Sequence, residues 1–375
     1  MKMKMLYISP WDMDLCGRFV GSAKKSIAII NAFRKYGIET DLYNTFIPYK
    51  EKRINKILSR LPFTPLGNSC IYQNSINNYD VYYFRFLVAD YPTHKFLRKI
   101  RKANPNAVLL IEFPDIDYMS HYSNSIKNLP FFIKNYFFSH NLCKICDYAI
   151  LMSPTQKEYK KLPVISVLNG IDLSLVTPIK GETNCKEVNI GFVGSIQSCH
   201  GVDILIDSVF AYVNGTVYKP IHVHIVGDGP ILQDLKNKVN LLNLNNLFTF
   251  YGTQYGKQLD EIYEHIDVAI SELAPFRRGY QFSSSLKSRE YLGKGIPIVS
   301  AADIDVFYKE PVDFFYKIKV TNGLIDIFEI IKFYEDLLNN ISKRELISRI
   351  RKYAESTVDI DKTILPIIDR LKGVD

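Results

Sequence analysis

The chain has little tryptophan and cysteine, and it has no long apolar run: one Trp and six Cys occur among 375 residues. The cysteines are too sparse for a disulfide framework, and the CxxC pair of Cys143 and Cys146 lacks a second pair or a nearby His to complete a zinc site. No run approaches the ~18 to 20 apolar residues of a membrane-spanning helix, and the Met-Lys start lacks the apolar region of a signal peptide. We therefore expect a cytoplasmic protein whose cysteines are buried and reduced.

Positive charge and aromatic residues are abundant, with a net charge of +8, 25 Tyr and 23 Phe. Residues 1–180 hold 25 Lys/Arg and 13 Asp/Glu, whereas residues 181–375 hold 22 and 26. The basic half leaves two interpretations open, an anionic partner or surface and a Lys-rich solvated face. No motif points to nucleic acid, and we expect none as a partner.

Short apolar strands and amphipathic helices alternate along the chain, from the strand "MKMLYISP" and the helix "AKKSIAIINAFRKYG" onward. The polar stretch 177–187 interrupts this alternation, which then restarts. The pattern predicts an α/β protein with two doubly wound, Rossmann-like parallel-sheet domains, residues 1–175 and 176–345. Helices in 346–375 are expected to pack back toward the first domain. Because ligands of such sheets bind at the carboxyl ends of the strands, we expect the two domains to face each other across a cleft.

Two glycine-containing loops follow strands of the second half. The loop "GSIQSCHG" runs from Gly194 to Gly201 and leads into a helix, whose free N–H groups would suit a phosphate. A tight turn without ligand contact is the other interpretation. The turn "GDGP" (227–230) reads as a plain strand-to-helix turn with Pro230 at the helix start.

The segment "SSSLKSREYLGKGIPIVS" places polar chemistry just before a buried strand. Ser284, Ser285 and Leu286 stand at a predicted helix start, where backbone N–H groups and the ammonium of Lys287 would hold a diphosphate. Glu290 lies one turn on, and its carboxylate could accept hydrogen bonds from the vicinal hydroxyls of a ribose. The alternative is a capped helix with a surface ion pair.

Four further charged positions are candidates for chemistry. Arg277 and Arg278 precede this segment and could add positive charge. Glu112 ends a strand, where it either orients an acceptor hydroxyl or caps the strand. Lys24 and Lys25 could reach an anionic acceptor, but a solvated helix face is the favoured interpretation.

Taken together, these residues resemble the GT-B glycosyltransferases, specifically the retaining family 4 group of bacterial capsule and exopolysaccharide clusters. The resemblance is strongest over 188–305, where "NIGFVGS", "HGVDILIDS", "HIVGDGPILQDLK", "FYGTQYGKQLDEIY" and "SSSLKSREYLGKGIPIVS" occur in the family's order. "SVLNGIDL" (166–173) is similar to the family's domain junction. The match of the first half is looser and rests on "GSAKKSIAIINAFRKYG" and "AVLLIEFPDID".

The resemblance implies a role for each matching position. The donor-binding residues would be Gly17, Gly21, Gly194, Ser195, His200, Thr253, Tyr255, Ser284, Ser285, Leu286, Lys287 and Glu290. Lys287 and Arg277 would stabilise the leaving diphosphate, and Glu112 would serve the acceptor. No metal cluster or other cofactor is expected.

Three departures from the family pattern concern the same site. Phe282 stands where the first Glu of the family's Glu-x7-Glu pair is expected, eight residues before Glu290. Ser195 and His200 replace the usual Arg and Lys of the first loop. The family's His in the first domain has no clear counterpart, with His121 a candidate only.

The predicted function is transfer of a sugar from a nucleotide diphosphate sugar, with UDP the favoured nucleotide, to a hydroxyl of a saccharide acceptor, with retained configuration. The aromatic and basic stretch 128–146 leaves two interpretations open, contact with the inner face of an anionic membrane and core aromatic residues with Lys outside; the first is favoured because it suits a lipid-linked acceptor. Two alternatives stay open, a nucleotide-sugar epimerase and a non-catalytic donor-binding subunit. A dinucleotide dehydrogenase is disfavoured because no GxGxxG follows the first strand.

Overall fold

The computed structural model describes residues 2–11, 13, 20–45, 76, 78–86, 90–113, 129–142, 144–153, 155–181, 187–215, 219–279, 282–308 and 310–373. Its chain contacts form two units. The first unit is Met1–Gly170 with Ile360–Asp375, and the second is Ile171–Asp359. The second unit therefore includes residues 346–359, which the sequence analysis assigned to the C-terminal helices.

The first unit contains a seven-stranded sheet among its described residues, in the order β2-β1-β3-β4-β5-β7-β6. All strands are parallel except β6, which runs antiparallel to β7. The strands are β1 (Lys4–Ser9), β2 (Glu39–Asn44), β3 (Val81–Arg85), β4 (Val108–Glu112), β5 (Tyr148–Leu151), β6 (Glu158–Tyr159) and β7 (Leu162–Ser166). The helices are α1 (Val20–Lys35), α2 (Tyr91–Ala103) and α3 (Leu129–Leu142), with α10 (Ile360–Thr363) and α11 (Leu365–Lys372) from the chain end.

Both faces of this sheet are covered, which explains why its strands read as continuous apolar runs. Along β1, Met5 and Tyr7 pack into the core that contains α1 and the C-terminal helices. Leu6 and Ile8 point the other way, into the core that contains α2 and α3. The alternation follows from the two-residue period of a strand.

The second unit contains a six-stranded parallel sheet in its described part, in the order β10-β9-β8-β11-β13-β15. These strands are β8 (Val188–Val193), β9 (Ile221–Val226), β10 (Phe248–Gly252), β11 (Val268–Ile270), β13 (Ile298–Ser300) and β15 (Phe315–Lys317), and β12 (Phe282–Ser283) pairs separately with β14 (Asp303–Ile304). The helices are α4 (Val202–Val213), α5 (Leu232–Leu241), α6 (Gly256–Tyr263), α7 (Leu286–Lys294), α8 (Ile327–Leu338) and α9 (Lys343–Thr357).

Helix α9 belongs to the second unit because it packs on α7 and on the chain around Leu173. Arg351 donates to the carbonyl oxygens of Leu173, Val176 and Gly293 at 2.6–2.9 Å. A Cβ at Gly295, just after α7, would stand 2.5 Å from Ile347 of α9. This contact needs a glycine with φ +82, a left-handed conformation that also ends α7.

The strand and helix alternation predicted from the sequence is confirmed over the described residues of both units. Helices expected in 346–375 are present, and the last part of the chain forms two short ones, α10 and α11, with Pro366 in the first turn of α11. The stretch 128–146, noted in the sequence for its composition, contains helix α3.

Candidate functional site

Three loops of the second unit meet at the carboxyl end of its sheet. A Cβ at Gly227 would stand 1.9 Å from the carbonyl oxygen of Gly194, and one at Gly229 would stand 1.9 Å from that of Ile196. The amide of Ile196 donates to the carbonyl of Asp228 at 2.9 Å. The "GDGP" turn therefore does more than link strand and helix, because its glycines let the Gly194 loop lie directly against it.

Lys287 reaches into this loop cluster and forms a buried ion pair. Its side chain packs over Gly194, where a Cβ would lie 3.6 Å from the Lys287 Cδ. Its Nζ lies 3.1 Å from Glu272 Oε1 and 5.0 Å from the ring centroid of Phe192. Burial lowers the pKa of Lys287, and the Glu272 carboxylate opposes that shift. The structure thus brings together two residues that the sequence placed in one site, 93 positions apart.

Glu272 is the residue that the sequence reasoning missed. It lies two residues after β11 and is buried, and its Oε2 accepts a 2.7 Å hydrogen bond from the Ser271 hydroxyl. Burial would raise the pKa of Glu272, but the Lys287 ammonium and hydrogen bonds from Ser271 and Ser283 together outweigh it, and the pKa is lowered. The available signal was the same one that singled out Glu112, a carboxylate at the end of a buried strand.

His200 lies beside the pair as a neutral imidazole. Burial, and next the charge of Lys287, lower the pKa of His200 to about 3. Its Nδ1 is buried without a hydrogen-bond partner among the described residues. A neutral imidazole has one acceptor nitrogen and one donor nitrogen, and an acceptor nitrogen suits a hydroxyl group better than a phosphate oxygen.

The two arginines of the following loop have different surroundings. Arg277 makes two hydrogen bonds to Asp203 at the start of α4, at 2.8 and 2.7 Å, and one to the carbonyl of Ser198. Arg278 donates to Gln197, and its charge lowers the pKa values of His200 and Lys287. Arg278 is therefore the arginine whose field acts on the Lys287 pair.

The start of α7 leaves backbone donors without a side-chain cap. Ser285 is the N-cap residue, but its hydroxyl bonds Ser288 instead of the helix amides. The Ser284 hydroxyl donates to Asp305, which also pairs with the buried Arg289. The amides that begin with Leu286 therefore stay available for an anion beside the Lys287 side chain.

The remaining predicted donor residues flank this centre. Glu290 is half-buried on α7, and its charge contributes, after burial, to the raised pKa of Tyr263. Thr253 and Tyr255 are exposed just after β10, with Tyr255 opening α6 as its N-cap residue. Phe282 is partly exposed and packs edge-on against Tyr308 at 5.3 Å.

Glu112 of the first unit lies in a closed network. Its Oε1 accepts from Lys25 Nζ and its Oε2 from the Tyr83 hydroxyl, both at 2.7 Å, and Arg85 Nε lies 3.5 Å away. Burial would raise the pKa of Glu112, but Lys25 and Arg85 lower it to about 2. The expectation of a solvated Lys25 was wrong, because that side chain is buried against Glu112, whereas Lys24 is exposed.

Several predicted positions add no geometry. Gly17, His121 and Cys143 lie outside the described residues, whereas Gly21 is half-buried at the start of α1 and Cys146 is buried. Within the described part of the chain, no group of three or more His, Cys, Asp and Glu residues could hold a metal ion. The helices described here are all too short or too polar to cross a bilayer.

A scan against protein-family models matches residues 178–274 to the model described as "Glycosyl transferases group 1". This segment contains the Gly194 loop, His200, Thr253, Tyr255 and Glu272, and it ends before Lys287 and Glu290. Comparison with curated proteins returned no significant match.

Solved structures similar to the whole chain include a glycosyltransferase from Rickettsia africae, at 13% identity and a TM-score of 0.63, with 100% of this chain and 98% of that chain covered. Anabaena HepE in complex with UDP and glucose gives 15% identity and a TM-score of 0.57, with 99% and 100% covered. The pneumococcal O-GlcNAc transferase GtfA in complex with UDP and GlcNAc gives 9% identity and a TM-score of 0.61, with 100% and 99% covered. The chain therefore has the GT-B fold, with two Rossmann-like units, and its second unit carries a segment that matches the group 1 glycosyltransferase model.

Proposed function

We propose that the protein is a glycosyltransferase that moves a sugar from a nucleotide diphosphate sugar to a hydroxyl of a saccharide acceptor. The observation that carries this proposal is the buried Lys287–Glu272 pair beside the uncapped start of α7, backed by the glycine loop at Gly194. A lysine with a depressed pKa at the carboxyl end of a parallel sheet is typical of a functional site. The matched family model supports the same chemistry.

The diphosphate of the donor binds between Lys287 and the first amides of α7. In that position, the ammonium group and the helix N-terminus stabilise the negative charge that develops on the leaving diphosphate. Glu272 holds the ammonium in place before the donor arrives. Arg278 adds positive charge near Lys287, while Arg277 holds the loop in place through its hydrogen bonds to Asp203.

The sugar and nucleoside are held by groups around this centre. His200 Nδ1 accepts a hydrogen bond from a hydroxyl of the donor, in place of the phosphate contact expected from sequence. Glu290 binds the ribose hydroxyls, and Tyr255 and Thr253 lie beside the base. UDP is the favoured nucleotide because the similar structures of HepE and GtfA hold UDP.

The acceptor belongs with the first unit, and the resemblance implies retention of configuration without a metal ion. Glu112 has a pKa of about 2 and both its oxygens are engaged. Such a carboxylate is a poor proton acceptor, so we assign it to holding Lys25 and Arg85 in place. A lipid-linked saccharide in surface polysaccharide synthesis, used at the inner face of the membrane, is the acceptor class that we favour.

The test is thermal stabilisation of the purified chain by UDP-, GDP-, ADP-, CMP- and dTDP-sugars, each without metal and then with Mg²⁺. We expect one nucleotide family to raise Tm without metal, because a ligand bound only by the folded state stabilises it. Product analysis with saccharide acceptors follows. Conversion of the donor without any acceptor would favour the epimerase, and binding without turnover would favour the non-catalytic subunit. No stabilisation by any donor would contradict the proposal.

A further inference from the structure

Helix α3 of the first unit turns large apolar side chains toward solvent. Ile133, Tyr136 and Phe137 are 61%, 69% and 60% exposed, and Leu129 at the helix start is 53% exposed. Their spacing of four, three and one residues puts them on one helix face. We call this face, formed by Leu129, Ile133, Tyr136 and Phe137, the apolar ridge.

The opposite face of α3 carries polar residues into the protein. Lys134, Asn135 and Ser139 are buried there, together with Phe138 and Leu142. A surface helix of a globular protein normally shows the reverse arrangement. Single exposed apolar residues are common, but four on one helix face form a contiguous patch of the kind that marks an interaction site.

Helix α2 is the neighbour of α3 in the same core, and it is basic. It contains five Lys or Arg residues and no Asp or Glu. Tyr91 and His94 of α2 contact Phe138 of α3, with ring centroids 6.1 and 5.9 Å apart. Phe96 of α2 packs into the same core as Phe138 and Leu142 of α3, so the exposed faces of both helices point away from that core.

The exposed basic residues of α2 also lie on one helix face. Lys95, Arg98 and Lys102 are exposed at spacings of three and four residues, and we call them the basic stripe. The inner face of the same helix buries Phe96, Leu97 and Ile100. The basic stripe and the apolar ridge therefore lie on the outward faces of two neighbouring helices.

We propose that the apolar ridge and the basic stripe together bind the surface of an anionic lipid bilayer. The apolar side chains enter the boundary between headgroups and acyl chains, and the basic side chains contact lipid phosphates. A second copy of the chain is a poorer occupant, since a two-fold interface through the ridge brings two basic stripes together. The inference deepens the proposed function and rests on it only for the lipid-linked acceptor.

The experiment is flotation of the full chain with vesicles of phosphatidylcholine alone or mixed with phosphatidylglycerol, at low and high salt. We expect binding to the anionic vesicles that weakens with salt, because screening reduces the attraction of the basic stripe. The triple variant Ile133→Ser/Tyr136→Ser/Phe137→Ser should weaken this binding by at least about ten-fold. The matched control is Leu241→Ser in the second unit, where an 81% exposed leucine should be dispensable.

A second variant separates the two parts of the surface. Lys95→Gln/Arg98→Gln/Lys102→Gln should lose the preference for anionic vesicles and the salt dependence, while the apolar ridge remains. Absence of vesicle binding by the wild type would overturn the proposal, as would unchanged binding by the triple variant. The proposal would also be overturned if the wild type formed a dimer and bound no vesicles while the triple variant was a monomer.

Thermal stabilisation by UDP-sugar, measured on each variant without vesicles, keeps this proposal apart from the proposed function. The ridge and stripe variants should respond to donor as the wild type does. Vesicle binding by a wild-type protein that no donor stabilises would contradict the donor site and support the membrane surface.

Discussion

Among the described residues, each unit buries one lysine–glutamate pair at the carboxyl end of its sheet, and the two pairs differ in how many hydrogen-bonding partners they have. In the first unit, Lys25 and Glu112 belong to a network that includes Tyr83 and Arg85. In the second unit, Lys287 meets Glu272 at 3.1 Å, a longer separation, beside a neutral His200. The first pair is closed, whereas the proposed function requires Lys287 of the second pair to exchange Glu272 for a diphosphate.

Under the proposed function, the same two residue types serve structure in one place and binding in another. A buried ion pair contributes little net stability when its desolvation cost is counted, but losing one partner is costly. The desolvation cost of Glu112 is offset by its contacts with Lys25, Tyr83 and Arg85. Lys287 keeps a depressed pKa instead, and a diphosphate offers it a stronger anion than Glu272 does.

The largest effect should come from Lys287→Met. We expect UDP-sugar affinity to fall by about a hundred-fold or more, and stability to fall by about 3 kcal/mol because Glu272 is left buried without its cation. Calorimetric titration and urea unfolding measure the two. Lys317→Met is the control in the same unit, since that lysine forms an exposed pair with Asp303. If the Lys287 variant bound donor with wild-type affinity, the proposed difference in role between the two lysine–glutamate pairs would be contradicted.

Glu112→Gln should remove the ion pair of the first unit and leave the Lys287–Glu272 pair of the second unit unchanged. We expect a loss on the order of 3 kcal/mol, because Lys25 and Arg85 stay buried without a counter-charge, while UDP-sugar affinity is unchanged. Urea unfolding and donor titration at neutral pH are the measurements. A fall in donor affinity at full stability would show that Glu112 acts on the donor.

Acid should weaken the first pair in a defined range of pH. The folded-state pKa of Glu112, about 2, lies below its ordinary value of 4.5. Its stabilising contribution is therefore complete above about pH 4.5 and is lost as pH falls toward 2, on the order of 3 kcal/mol. The difference in unfolding free energy between wild type and Glu112→Gln should shrink from pH 5 to pH 3. A constant difference would contradict this linkage.

Glu290→Ala should weaken UDP-sugar binding by about ten-fold, the loss expected for hydrogen bonds from ribose hydroxyls to a charged group. Titration with UDP-sugar is the measurement, and Glu261→Ala on the exposed face of α6 is the control. Unchanged affinity would remove Glu290 from the ribose role.

The smallest effect should separate the two neighbouring arginines. Arg278→Ala should lower donor affinity by about three- to five-fold through its field at Lys287, because partly exposed charges act weakly. Arg277→Ala should act mainly on stability through the lost Asp203 contact. If Arg277→Ala lowered donor affinity more than Arg278→Ala did, the role that the sequence assigned to Arg277 would be supported instead.

The sequence predicted the strands and helices because their periodicity is local, and it placed Gly194 and Lys287 in one site because parallel strands end at a common edge. It could not show which of the two arginines acts on Lys287, because the partner of Arg277, Asp203, is 74 residues away along the chain. Glu272 was passed over as part of a strand, and Lys25 read as solvated because its partner Glu112 is 87 residues away. The departure at Phe282 was visible, but its contact with Tyr308 was not.

The most direct test of the exchangeable pair is UDP titration of the double variant Glu272→Gln/Lys287→Met, which removes both charges at once. We predict that its unfolding free energy lies close to the wild-type value, since no buried charge is left unpaired, and that UDP binding is no longer detectable. A stable double variant that binds UDP as tightly as the wild type would contradict the account.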